Sequence, residues 1–239
     1  MASLITSLST AQIASLSAKT ISAFGTDDWA AFSTAQIAAL TTSQITAVGT
    51  TALQMLTPVQ FAAFETADIR LFTQAQIQSL GGAQLAALTT SQVQVLTSTQ
   101  IRALTTTQIA SLESEEIKAL TSSQVAVLGS SQIGALSTAQ ISQMETADVR
   151  AINTTALKSL GSAQIEVLAT SQIQALTTAQ VRALETTQVQ ALKTEHIAAL
   201  ITSQVAALTS AQASALATGQ VNALGTDSVA ALQTATLLG

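Results

Sequence analysis

Large apolar residues recur along the chain at a fixed spacing of eight. With the octad lettered a to h from Met1, position h is Leu, Phe, Val, Met or Ile in every full octad, from Leu8 to Leu232. Position e is Ile, Val, Leu, Phe or Trp in all but one, where Ala213 stands. Polar positions keep the same frame: b is Thr or Ser in 24 of 29 octads, d is Gln in 19, and g is mostly Ala. The 239 residues therefore divide into 29 full octads and a remainder of seven, without insertion or deletion. A frame this strict predicts one structural slot per octad and a single uninterrupted repeat array over 1–239.

One continuous helix does not fit this spacing. Eight residues at about 100° each make about 800°, so the e/h stripe would turn by about 80° per octad and find no common core. The helix must restart in each octad, and the residues provide the restart. In Thr97-Ser98-Thr99-Gln100 a hydroxyl is followed three residues later by Gln, the pattern of a capping box, and the preceding h and following e residues form a hydrophobic staple. Pro58 falls at b, the first helical residue in this phase, where a missing N–H costs nothing. Six of the ten glycines (Gly25, Gly49, Gly81, Gly129, Gly161, Gly225) lie at a, where one helix ends and the next begins. Twelve of the thirteen acids lie at a, c or d and six of the eight bases at f, the polarity the helix dipole favours. This also places f toward solvent. Because b is more uniformly Thr or Ser than a, the cap stands at a or at b; the box, the staple and Pro58 favour a.

The pattern thus predicts an all-α solenoid of very short helices, one per octad, with e, g and h forming a continuous core. A β-solenoid is the alternative, since Thr, Ile and Val favour strands; abundant Ala, Leu and Gln, and the e-to-h spacing of three, argue for helix. Burial of two large side chains and an Ala does not offset the ordering of eight residues, so an octad folds only against its neighbours.

Composition narrows the function. Charged residues are 9% and aromatic residues 3%, with no Cys, no Tyr, one His, one Trp and one Pro. A disulfide scaffold, a Cys metal site and a thiol nucleophile are excluded. The net charge of −5 offers no basic field to nucleic acid or an anionic membrane, and no apolar run approaches the roughly 18 residues of a spanning helix. Met1–Leu8 carries no Lys or Arg and does not read as a secretory signal. His196 stands at d beside Glu195 and reads as a Gln substitute capping its helix, not as a metal ligand. Glu113, Glu115 and Glu116, and the pair Asp27 and Asp28, read as first-turn acids answering the dipole. Glu65-Thr66-Ala67-Asp68-Ile69-Arg70 recurs as Glu145-Thr146-Ala147-Asp148-Val149-Arg150, by octad duplication or as two equivalent lateral contacts. Trp29 and the five Phe occupy e or h and read as core. The b hydroxyls are expected to link coils, with surface binding or ordering of water as alternatives. No catalytic residue, metal site, cofactor or small-molecule substrate is expected.

The repeat seen in Leu176-Thr177-Thr178-Ala179-Gln180-Val181-Arg182-Ala183-Leu184 resembles octapeptide arrays of large secreted or surface-associated bacterial proteins. The resemblance implies a structural or adhesive role outside the cell or at its surface. Leu56-Thr57-Pro58-Val59-Gln60-Phe61 also resembles the first helix start of TAL-effector repeats, in helix geometry alone. Solenoids usually end in polar caps, whereas here Leu4 takes the place of Gln at d, next to Ile5, and the remainder carries Leu237 and Leu238. With Leu8 and Leu232, these form the expected interface of a head-to-tail homopolymer, a filament or matrix subunit. The alternative is a repeat segment of an adhesin or of an ice- or surface-binding module using the hydroxyl column.

Overall fold

The computed structural model describes residues 4–237, with side chains to residue 232. The chain divides at an octad boundary into two compact units, Met1–Leu120 and Thr121–Gly239. Each is an α-solenoid of helices four to six residues long in almost every octad, and no strand occurs among the described residues. The β-solenoid alternative is excluded.

Helices start at a. Thr177 has extended backbone (φ −72°, ψ 158°) and its hydroxyl accepts the Gln180 N–H, opening the helix Thr178–Ala183. Ser9, Ser33, Thr73, Thr97, Ser137 and Thr209 cap in the same way, and Pro58 is the first residue of its helix. The a-position glycines lie at the helix junctions as expected: Gly25, Gly49, Gly81, Gly129 and Gly161 are N-caps with negative φ, such as Gly129 at −83°, and no described residue has positive φ. Some helices end on an extended h residue, such as Leu80 at ψ 135°, and others on a right-handed helical residue at f or g, such as Ala39 at ψ −2°, so the corner needs no left-handed residue.

Within each unit a helix packs on the helix three along the chain: Gln74–Ser79 on Thr50–Met55 in the first unit, Thr170–Ala175 on Thr146–Ala151 in the second. One coil therefore takes between three and four octads. Ile or Val at e and Leu at h are buried in the interior coils, as Val149 (0%) and Leu176 (4%) illustrate. The third inward position is d rather than g. Gln44, Gln100, Gln180 and Gln204 are all buried, while most g alanines stay partly exposed. An apolar count alone puts Ala at g inside; the reason it loses to Gln is the hydrogen bonding described below.

Two octads depart from the frame. The first forms a 3-10 turn, Leu4–Ser7. At the other end the helix does not restart: Thr226–Leu237 runs through the octad boundary and packs on both Thr202–Ala206 and Ser210–Ser214. Gln233 at a is not a short capping residue and Thr236 at d is not Gln, so neither half of the restart signal is present.

Candidate functional site: the glutamine ladder

The most regular chemistry in the molecule is the side-chain amide at d, and it acts at both ends. In Gln100, Oε1 accepts the Thr97 N–H at 2.8 Å, closing the cap of its own helix. Its Nε2 donates to the carbonyls of Ile69 and Phe72, 31 and 28 residues earlier, at 2.7 and 2.9 Å. The second unit repeats this: Gln180 accepts from Thr177 N–H at 2.8 Å and donates to Val149 and Ile152 at 3.0 and 2.8 Å. Each such Gln is a rung joining a helix start to the e and h carbonyls of the preceding coil. The carbonyls lie at a helix end, where intrahelical donors run out; the e carbonyl, which already accepts the N–H of its own h residue (Phe72 to Ile69 at 3.3 Å), takes the amide as a second donor, so a buried amide meets buried acceptors. Among the described residues no buried side-chain N or O lacks a partner.

The rungs explain why a is variable. Where Ala169, Lys193 or Ile201 stands at a, the N–H is still satisfied from d, by Gln172 at 2.7 Å, His196 at 3.1 Å and Gln204 at 3.0 Å. Where d is Ala156, the amide moves to a: Asn153 Oδ1 accepts from Ala156 N–H at 2.9 Å and Nδ2 donates to the Leu128 carbonyl at 3.0 Å. His196 acts as a Gln, as its sequence position suggests. Its Nδ1 accepts the Lys193 N–H, and the ring hydrogen-bonds the Leu168 backbone, 28 residues earlier. Burial pushes its pKa down, against Glu195 and the Leu168 bond, which raise it.

Three rungs carry acids. Asp68, Glu116 and Asp148 are buried at d. Burial raises the pKa of each, opposed by the Glu65 N–H for Asp68, the Glu113 N–H for Glu116 and the Ser122 hydroxyl for Asp148. The repeated hexapeptide thus places two equivalent buried carboxylates, with Arg70 and Arg150 exposed. Glu116 Oε2 accepts from Glu113 N–H at 2.8 Å, and the ladder register sets the Leu85 and Leu88 carbonyls opposite. An ionised carboxylate offers these no proton. Glu116→Gln is therefore expected to stabilise the protein by about 1 kcal/mol at pH 7. The folded pKa of Glu116 is raised, so the native residue is least costly below its unfolded value and costs more as pH rises through the folded one. The gain in midpoint of chemical denaturation should accordingly shrink toward pH 4.

Other sequence candidates fall outside the ladder. Glu115 and Lys118 form an exposed pair at 3.2 Å. Phe24, Trp29 and Phe32 form one aromatic cluster and Phe61, Phe64 and Phe72 another, all buried except the half-buried Phe24. Among the b hydroxyls, Ser122 reaches Asp148 at 2.8 Å and Ser130 reaches the Thr155 carbonyl at 3.3 Å, linking coils. Of the expected interface residues, Leu4 is 81% exposed and Ile5 is buried in its own coil. Leu8 and Leu232 are half-buried. The Leu237 side chain and Leu238 lie outside the described residues.

The ladder was missed by sequence reasoning, though a signal existed. A capping box accepts Glu as readily as Gln, and the dipole favours Glu there. Yet d holds 19 Gln and one Glu, a bias that only a need for the amide hydrogens explains.

No group of three or more His, Cys, Asp or Glu able to hold a metal occurs among the described residues, and no described helix is long and apolar enough to cross a membrane. No curated protein matches the chain. The ALTTAQ repeat matches it in eight segments, 21–58, 61–98, 83–114, 93–122, 109–144, 141–178, 173–202 and 181–218. An α-solenoid built of octapeptides joined by amide rungs, the chain belongs to the ALTTAQ repeat family.

Proposed function

We propose that the chain is a structural subunit that adds head to tail to further copies of itself, forming a filament or matrix outside the bacterial cell or at its surface. The observation that carries this reading is that coil joins coil through backbone carbonyls. A rung reads no side chain on the coil it grips, so a coil from a second molecule fits as well as one from the same chain.

The outermost described coils support it. Toward the preceding coil the array presents d and h, and in the first coil these stay open: Gln12 and Thr20 are exposed, and Leu8, Leu16 and Phe24 are half-buried where interior h residues are buried. Leu4, Leu8, Leu16 and Phe24, with Asp27 and Asp28 at the lip, line a groove of about 640 Å³. In the last coil Val221 is 36% exposed, and Val229 and Leu232 are half-buried. The Gln12 amide and the h side chains at one end would meet acceptors and e side chains at the other. Export is supported by the likeness to secreted octapeptide arrays.

Sedimentation velocity and negative-stain microscopy of the 239-residue chain test the reading. Mass rising stepwise with concentration and unbranched filaments are expected, both abolished by Leu16→Asp with unchanged circular dichroism. A monomer at every concentration overturns it.

A further inference from the structure

His196 is the one imidazole in the chain, and it sits where most other rungs carry an amide. The two groups differ in one respect that matters. An amide oxygen accepts and an amide nitrogen donates at every physiological pH, whereas imidazole splits these roles between two nitrogens only while it is neutral. The rung needs an unprotonated Nδ1, because that atom accepts the Lys193 N–H at 3.1 Å. It also needs the proton on Nε2, because the ring bonds the Leu168 backbone on the preceding coil. The side chain is 1% exposed.

We propose that His196 is an acid-labile rung: a proton taken up from solvent at Nδ1 sets donor against donor at Lys193, releases the imidazolium from its buried slot, and opens the seam between residues 165–168 and 193–197. The flanking rungs limit the opening. Gln188 holds Leu157 and Leu160, and Gln204 holds Ile173 and Leu176, with groups that do not titrate.

The charges around the ring do not rescue it. Glu195 Oε1 is 4.0 Å from Nε2, but the Glu195 side chain is 62% exposed and lies 3.9 Å from Lys193 Nζ. An exposed carboxylate shared with a lysine holds an imidazolium weakly. The helices packed against Thr194–Ala199 are Thr170–Ala175 and Thr218–Asn222, which carry no charged residue, and Glu166 in the facing segment 165–168 is exposed. Burial outweighs the Glu195 carboxylate and the Leu168 bond and pushes the His196 pKa down. The sign follows: stability is complete above the unfolded histidine value of about 6.5 and is lost as pH falls from there through the folded value.

The imidazole needs no assignment, so the experiment is direct. Nitrogen-15 spectra of the whole chain should show the Nε2–H tautomer at pH 7.5 and a titration below the ordinary histidine range. The hydrogen-exchange protection factor of the Lys193 amide should fall by up to about tenfold per pH unit as pH drops from about 6.5 toward the folded value and level off below it, with amides held by Gln188 and Gln204 unchanged. His196→Gln, which installs the residue of the other rungs, should keep the Lys193 amide protected across the range. A ring that titrates at the ordinary value while Lys193 stays protected overturns the proposal, as does an equal loss of protection in His196→Gln.

Discussion

Gln204→Glu is expected to destabilise the second unit by about 3 kcal/mol at pH 7, although the side chains are nearly isosteric. Gln204 is 1% exposed. Its Oε1 accepts the Ile201 N–H at 3.0 Å, and its Nε2 donates to the carbonyls of Ile173, Gln174 and Leu176 at 2.9, 3.2 and 2.7 Å. Glu keeps the first bond, so the helix remains capped. It replaces the donor with an anionic oxygen facing three carbonyl oxygens out of water, of which that of Ile173 keeps its bond from the Leu176 N–H. Gln204→Leu removes both functions but brings no charge, and should cost about 2 kcal/mol from the acceptors and donor left unpaired. The order of the two variants is diagnostic. If capping were the whole role of d, Glu would match wild type and Leu alone would lose stability. Urea melts at pH 7 distinguish these outcomes. The Glu variant should also recover part of its loss near pH 4, because a protonated acid donates again and stability contributed by a raised carboxylate is held below its unfolded pKa.

This difference between capping and bridging marks the limit of what was legible in the sequence. Helix class, one helix per octad and the restart at a follow from short-range rules, and residues such as Ser9, Thr97 and Pro58 carry them within four positions. The contact from Gln100 to Phe72 spans 28 residues. No local pattern fixes that distance, because it depends on how many octads close a coil, which is set by corner angles at extended residues such as Leu80 rather than by residue type. Octad periodicity hides it further, since every d residue has an equivalent target at every h. The core at d rather than g was missed for the same reason: Gln is buried only because its partners on the preceding coil satisfy it. His196 shows the converse. Its role as a Gln substitute was legible from position alone, but its sensitivity to acid follows from which nitrogen faces which atom.

Trp29→Ala is expected to unravel the first coil rather than to weaken the unit evenly. Trp29 is 1% exposed, stacks on Phe32 with centroids 4.8 Å apart and planes 16° from parallel, and meets Phe24 edge-on at 6.3 Å. Gln60 holds the Trp29 and Phe32 carbonyls at 3.4 and 2.8 Å, but the ladder is interrupted beside it. The octad that lies over Ile21 and Phe24 in the 28- and 31-residue register has Gly49 at a and Ala52 at d, and so no side-chain amide at either position. The aromatic cluster supplies by packing what a rung supplies elsewhere. Deleting a buried indole costs about 3–5 kcal/mol, and stability in a stacked array is a sum of local terms and neighbour interfaces. An outer coil that loses so large a share of its interface opens while coils further along stay folded. Hydrogen exchange read by mass spectrometry should therefore show residues 5–32 losing protection in Trp29→Ala, with the Gln76, Gln100 and Gln108 rungs unaffected. Trp29→Phe, which keeps a ring on Phe32, should retain most of the protection. A uniform loss across the unit would mean that its coils melt as one body, and no loss would mean that the aromatic cluster fills space without holding the coil.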